Sequence, residues 1–232
     1  MRTVTRLSLS VLAVAALLSG CKSSTTPVSA PVSGGAPAGS SQQGPMSPGD
    51  AGQLLATLPV KAGVGMAGYS RDKFGTAWTD DNDAPGGHNK CDTRNDILRR
   101  DLTDVAPAAG CQIQSGTLHD PYTGKTIGFE RGPKSTTVQI DHMVPLGDAW
   151  ETGAQQLSVA QRTSLANDPR NLMAVDGPTN EAKGDGDAAE WLPPVASFRC
   201  VYVEHQIQVK SIYGLWVTQA ERDAMDHILH SC

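Results

Sequence analysis

Asp141 and His142 are adjacent at the end of a short apolar run, and they place an acid beside an imidazole. A second polar segment further along the chain contains Asn171, Asn180 and Lys183. An imidazole titrates near neutral pH and can act as a general base. Carboxylate and amide oxygens are hard ligands that suit Mg²⁺ or Mn²⁺. These residue types could therefore supply one general base, one site for a hard cation and one contact to a phosphate.

Short strands are expected to carry both segments. Residues 138–140 predict a strand that delivers Asp141 and His142 at its end. Side chains alternate between the two faces of a strand, so the carboxyl and the imidazole are expected on opposite sides. Residues 171–175 predict a second short strand.

A helix is expected directly after the second strand. Pro178 is a favoured residue in a first helical turn. Asn180 and Lys183 are three positions apart, so they share one face of that helix. The helix would then present an amide and an ammonium on the same side.

The remaining patterns predict small antiparallel strands and several helices. A helix is expected after Thr93, with Thr93 as its cap, and Asp120 to Gly124 form a turn between two strands. Further elements are predicted as strands at 111–118 and 126–129, helices at 148–166 and 198–212, and a last helix capped by Thr218. The predicted fold class is α+β.

Several segments together resemble a known family. They are Cys91 to Asn95, Asp120 to Gly124, the Asp141-His142 pair, Asn171 to Lys183, and Gly184 to Asp187 before Trp191. In this combination the chain resembles the HNH (His-Me finger) endonucleases. It is most similar to secreted bacterial HNH proteins related to the C-terminal domain of GmrSD-type restriction enzymes. The resemblance spans roughly residues 60–232 and implies a ββα-metal finger embedded in a small mixed helical domain with disulfides.

The resemblance implies a role for each polar residue. His142 would be the general base of phosphodiester hydrolysis, with a backbone carbonyl as a plausible orienting partner. Asp141 and Asn180 would hold one divalent cation, with Mg²⁺ preferred over Mn²⁺. Zn²⁺ is less favoured, because Asn180 stands where the family often has histidine. Asn171 would fix the loop that carries His142. Lys183 would contact a phosphate beside the scissile one.

Two groups of basic residues are further candidates for substrate binding: Arg94 with Arg99 and Arg100, and Arg71 with Lys73 and Trp78. For the first group a solvated helix face is the alternative. For the second we favour a place in the core for Trp78 and for Phe74. No helix-turn-helix, zinc finger or other base-reading motif is visible, and contacts to the phosphodiester backbone suffice for cleavage with little sequence preference. DNA is the expected substrate.

The charge balance excludes one class of function. The chain has 19 basic and 24 acidic residues, a net charge of −5. A passive nucleic-acid coat needs a basic face, which this composition argues against. A nuclease remains compatible, because a bound divalent cation changes the local field.

The N-terminus predicts export. Residues 1–20 have a short basic region and an apolar stretch too short to span a bilayer. Leu18 to Cys21 resembles a lipobox, which would make Cys21 the lipidated residue of a membrane lipoprotein, retained facing outward or later shed. An ordinary secretory signal is the alternative. Residues 21–55 are expected to form a flexible tether, and residues 56–232 one folded domain.

The other four cysteines are Cys91, Cys111, Cys200 and Cys232. In an exported chain an even number predicts disulfides, and four cysteines allow three pairings. Proximity in sequence favours Cys91–Cys111 and Cys200–Cys232. A zinc site is the weaker alternative, since there is no CxxC pair.

Two other functions remain as alternatives. The chain could be a catalytically inactive surface lipoprotein that keeps the fold and binds nucleic acid or a cation. A zinc peptidase is disfavoured, because the sequence has no HExxH helix and no clustered His or Cys ligands.

Overall fold

The computed structural model describes residues 46–232, which form seven α-helices and five strands. The expected signal segment, Cys21 and most of the predicted tether lie outside the described residues. Small antiparallel sheets combine with helices, so the α+β prediction is confirmed. Within residues 46–232, no helix is both long and apolar enough to cross a membrane.

Helix α1 spans Pro48–Thr57 and corrects the expected end of the tether. Ser47 caps the helix by accepting a hydrogen bond from the Asp50 amide. Ala51 and Leu55 lie one turn apart and are buried in a cluster with side chains of the last two helices. The folded part therefore begins before residue 56, because this short apolar stripe packs against distant parts of the chain.

Helix α2 (Thr93–Asp101) leads directly into a three-stranded antiparallel sheet, β1 (Leu102–Pro107), β2 (Ile113–His119) and β3 (Thr126–Glu130). The helix is capped by the Asp92 carboxylate and not by Thr93, which is buried inside the first turn. Strand β1 was not predicted from the sequence.

A separate pair of strands carries the polar residues. Strand β4 (Val138–His142) pairs antiparallel with β5 (Leu172–Asp176), with His142 opposite Leu172. The connection contains α3 (Leu146–Glu151) and α4 (Val159–Asn167). The sequence predicted one helix here, but the chain turns at residues 152–157 and Ser158 starts a new helix with a capping box.

Helix α5 (Gly177–Lys183) follows β5 without a loop, because the Asp176 carboxylate caps its first turn. Helices α6 (Arg199–Tyr213) and α7 (Gln219–His230) complete the fold, and the predicted capping box at Thr218 is confirmed. Both favoured disulfides are also confirmed: Cys91–Cys111, and Cys200–Cys232, which joins the start of α6 to the C-terminus.

Candidate functional site

His142 is the last residue of β4, and its imidazole is almost fully buried, with 7% of the residue exposed. The ring Nε2 lies 2.9 Å from the backbone carbonyl of Ala166 at the end of α4. A carbonyl can only accept, so Nε2 carries the proton and Nδ1 is left as an acceptor. Burial lowers the pKa of His142 to about 3, so the ring is neutral at physiological pH.

The face of the His142 ring is covered by Trp78. The two rings lie 5.8 Å apart between centroids and are inclined by only 17°. Trp78 is half-buried, whereas Phe74 lies fully in the core. The predicted core position is therefore confirmed for Phe74 and only in part for Trp78.

A cavity of about 230 Å³ opens beside the imidazole. Its lining includes Arg71, Thr76, Trp78 and His142. Arg71 is exposed and close enough to His142 for its positive charge to lower the histidine pKa further. The cavity thus combines a neutral imidazole, an aromatic face and a cation, which suits an anionic ligand.

The loop after His142 is held by four side-chain hydrogen bonds. Asn171, fully buried, accepts from the Val144 amide at 2.7 Å and donates to the Val144 carbonyl at 3.2 Å. From α6, Tyr202 and Gln206 both donate to the Met143 carbonyl. Asn171 therefore acts on the backbone next to His142, and these contacts fix where the strand ends.

Asp141 lies on the opposite side of β4 and faces α5. The Lys183 ammonium donates to both of its carboxylate oxygens at 2.8 Å, and to the His142 carbonyl at 2.7 Å. Tyr122 donates its hydroxyl to the same carboxylate. Burial and the neighbouring Asp141 charge raise the pKa of Tyr122 well above its usual range, so this hydroxyl stays protonated.

Asn180 lies one turn before Lys183 and contacts a different residue of β4. Its side-chain nitrogen donates to the Gln139 amide oxygen at 2.9 Å. Gln139 precedes Asp141 by two positions, so it lies on the same face of the strand. The helix therefore places Asn180 over Gln139 and Lys183 over Asp141, an arrangement that residue spacing alone did not reveal.

The donor chemistry here fits a hard divalent cation with one condition. Within residues 46–232, no three His, Cys, Asp or Glu side chains form a group that could hold a metal. One carboxylate is nevertheless enough for Mg²⁺, which keeps several waters and takes phosphate oxygens. Asp141 could provide that carboxylate and Asn180 its amide oxygen, since only the amide nitrogen contacts Gln139. The condition is that Lys183, which already contacts both oxygens of Asp141, must move away or share the carboxylate with the cation.

The predicted substrate contacts lie at different distances from His142. Arg94 donates to the Val138 carbonyl, at the opposite end of β4 from His142, and its guanidinium is partly buried. The two positions are four residue steps apart along the strand, roughly 13 Å. Arg71 instead lines the cavity at His142. The sequence had named Arg71 only as a secondary candidate, because nothing local linked it to β4.

The fold and the site define an α+β protein in which two antiparallel strands and a following helix gather an acid, an imidazole and an ammonium. The family described as GmrSD restriction endonucleases, C-terminal domain, matches residues 92–228, and the chain belongs to that family. The predicted relationship to this domain is thus confirmed, whereas the narrower HNH assignment stays a prediction. Trp78 and Arg71 precede the matched range.

A fungal relative extends the similarity over nearly the whole chain. An "Uncharacterized secreted protein" of Arthroderma benhamiae is 37% identical over 219 residues, which cover 94% of this chain and 97% of the relative. No solved structure shows a significant match. The similarity therefore extends beyond the bacterial proteins that the sequence motifs resemble.

Proposed function

We propose that the protein is an exported endonuclease that hydrolyses phosphodiester bonds of DNA with little sequence preference. His142 is the general base, and β4, β5 and α5 form a ββα-metal finger. The proposal is supported by membership in a restriction endonuclease family and, above all, by the state of His142. A neutral imidazole with one nitrogen on a carbonyl and the other free to accept a proton lines an open cavity.

The electrostatics of the cavity suit this base. A histidine with a pKa of about 3 is unprotonated at neutral pH but is a weak base. A phosphodiester entering the cavity brings a negative charge, which favours the protonated imidazole and raises its pKa during the reaction. Arg71 at the same cavity can hold the phosphate while His142 Nδ1 accepts a proton from the attacking water.

Asp141 and Asn180 are the residues that would hold a divalent cation. Such an ion, with Mg²⁺ favoured, would supply charge stabilisation to the phosphoryl oxygens. The chain's own contribution is the geometry: Asn171, Tyr202 and Gln206 fix the backbone after His142, so that the base needs no rearrangement.

The proposed place of action is outside the cytoplasm. The N-terminal sequence has the pattern of a lipoprotein signal with Cys21 as the lipid-bearing residue. The fungal relative is named a secreted protein. Two disulfides suit an oxidising compartment. The partners are then the nucleic-acid substrate and the membrane.

A plasmid-nicking assay tests the function. The purified full chain, His142→Ala and His205→Ala are compared in Mg²⁺, Mn²⁺, Zn²⁺ and EDTA. His205 is a matched control, because it is also largely buried and contacts a backbone carbonyl, that of Arg170, but it lies on α6 outside the cavity. We expect cleavage by the wild type and the control and none by His142→Ala.

Cleavage by His142→Ala at the wild-type rate would overturn the assignment. Failure of folded wild type to cut DNA or RNA with any of the cations would favour the inactive lipoprotein that binds nucleic acid or a cation.

A further inference from the structure

Lys183 is a buried cation whose hydrogen-bonding capacity is already used. Its side chain has no exposed surface, and that of Asp141 is only 6% exposed. An ammonium has three protons, and three oxygens accept them here: both carboxylate oxygens of Asp141 and the carbonyl of His142. As placed, the ammonium cannot also bind a phosphate, which is the role that the sequence suggested for it.

The same carboxylate is the strongest ligand for a divalent cation at this site. Mg²⁺ binds carboxylate oxygens at about 2.0–2.1 Å. An ammonium at 2.8 Å from both oxygens occupies the space in front of the carboxylate. A metal ion must therefore displace Lys183, or share Asp141 with it against the repulsion of two like charges.

The surroundings stabilise the ion pair. The Tyr202 ring lies 5.9 Å from the ammonium, at the outer limit of a cation–π contact. Tyr122 donates to Asp141 from the other side. Breaking the pair would leave a buried charge without its partner, which is strongly unfavourable. The fold thus holds the Lys183 ammonium against the carboxylate that a divalent cation would need.

We propose that Lys183 and a divalent cation compete for Asp141, so that Lys183 sets the metal affinity of the site. The inference rests on the proposed function in taking Asp141 as the metal ligand. A bound cation would take the place of the ammonium at the carboxylate, so that Lys183 would be free to meet the substrate phosphate. Metal binding and the phosphate contact are then linked through one side chain.

The test is Mn²⁺ affinity, measured by calorimetry on the purified full chain without substrate. Wild type is compared with Lys183→Met, Asp141→Asn and Lys125→Met. Lys125 is a matched control, because it pairs with an aspartate of β5, Asp176, at 3.5 Å but does not contact Asp141. We expect Lys183→Met to lower the Kd about tenfold or more, since it removes a like charge from the ligand.

The control variants have distinct expected results. Lys125→Met should leave the Kd unchanged, and Asp141→Asn should abolish binding. Binding by Lys183→Met that is equal to or weaker than wild type, in a folded variant, would overturn the proposal. So would the absence of Mn²⁺ binding in both wild type and Lys183→Met.

A second measurement uses the wild type, in case Lys183→Met does not fold. A buried ammonium is shielded from water and gives a ¹H–¹⁵N signal by NMR. We expect Mg²⁺ to shift or broaden the Lys183 signal with the same concentration dependence as Mg²⁺ binding measured by calorimetry. An unchanged signal at saturating Mg²⁺ contradicts competition.

The outcomes separate this proposal from the nuclease assignment. Tighter Mn²⁺ binding by Lys183→Met, in a protein that cuts no nucleic acid, would support the competition and refute the nuclease. Cleavage that requires His142, together with unaltered Mn²⁺ affinity in Lys183→Met, would support the nuclease and refute the competition.

Discussion

Trp78 lies parallel to His142 although its own backbone is in an unfavourable conformation. Its φ is 58°, in the left-handed region that bulky residues rarely adopt. The Trp78 carbonyl accepts from the Thr93 amide at the start of α2, which helps to hold this conformation. Strained backbone persists only where the surroundings enforce it. The indole is therefore held against the imidazole by the fold, in a position that limits the ring orientations of His142.

Replacing Trp78 should reduce cleavage with little effect on folding. We expect Trp78→Ala to lower kcat by about two- to tenfold, since an aromatic contact contributes about 0.5–1.5 kcal/mol. Trp78→Phe keeps a flat ring and should retain most of the activity. Steady-state kinetics on a fluorescent oligonucleotide separates kcat from KM. A change in KM alone, with kcat intact, would show that Trp78 binds substrate and does not position His142.

Asn171→Ala should affect both stability and cleavage. The variant leaves the Val144 amide and carbonyl without their side-chain partner in a buried loop. Each unsatisfied buried group costs about 1–3 kcal/mol, so the two groups together should cost about 2–6 kcal/mol in urea denaturation. Cleavage should fall at least about tenfold, because the loop after His142 is released.

Asn95→Ala provides the comparison for Asn171→Ala. Asn95 is also buried and accepts from a backbone amide, that of Ile113, but it belongs to α2 and the three-stranded sheet. The Asn95→Ala variant should lose a similar free energy of unfolding. It should keep its cleavage activity under conditions where it is folded. Equal losses of cleavage in both variants would show that Asn171 contributes to stability and does not position His142.

The contribution of Glu221 to stability should decrease as the pH rises from about 4.5 to about 8, and the total stability should decrease above about pH 6.5, where the opposing titration of His142 is complete. Lys210 lies between two buried carboxylates, Asp148 and Glu221. Burial, and secondarily repulsion from Asp148, raises the pKa of Glu221 to about 8 despite the attraction of Lys210. In this window the unfolded chain releases a proton that the folded chain retains, so each pH unit favours unfolding by up to about 1.4 kcal/mol.

Glu221→Gln tests this pH dependence. Glutamine carries no titrating proton and can still complete the capping box at the start of α7. Denaturation at several pH values between about 6.5 and about 8 should give a flatter profile for the variant. The same slope in both proteins would mean that Glu221 does not titrate in this range.

Both disulfides should stabilise the fold by constraining the unfolded chain. Cys91–Cys111 and Cys200–Cys232 close loops with separations of 20 and 32 residues. The chain-entropy model gives about 3–4 kcal/mol for each. Paired Cys→Ala variants, measured separately by thermal denaturation, should each lower the Tm. A Tm unchanged by full reduction would contradict this prediction.

Local sequence patterns were enough to predict the secondary structure around the site. Turn residues, caps and apolar runs predicted β2 to β5, the first turn of α5 and the capping boxes of α4 and α7. These features depend on neighbours a few residues apart. The same reasoning missed β1 and the turn that separates α3 from α4. The expected tether, which ends at residue 55, overlaps α1, because the few apolar residues of this helix gain their meaning only from the partners that they pack against.

The partners of the polar residues, by contrast, depend on how distant parts of the chain pack together. Lys183 contacts Asp141 and not a solvent-facing position, because α5 crosses β4 with its last turn over that carboxylate. Trp78 reaches His142 from a loop that no local pattern connects to β4. Helical spacing shows which side chains lie on one face of a helix. The way in which that helix packs on its neighbours decides which residue each side chain contacts. The residue types therefore indicated the chemistry from the sequence alone, whereas the pairing of Lys183 with Asp141 required the fold.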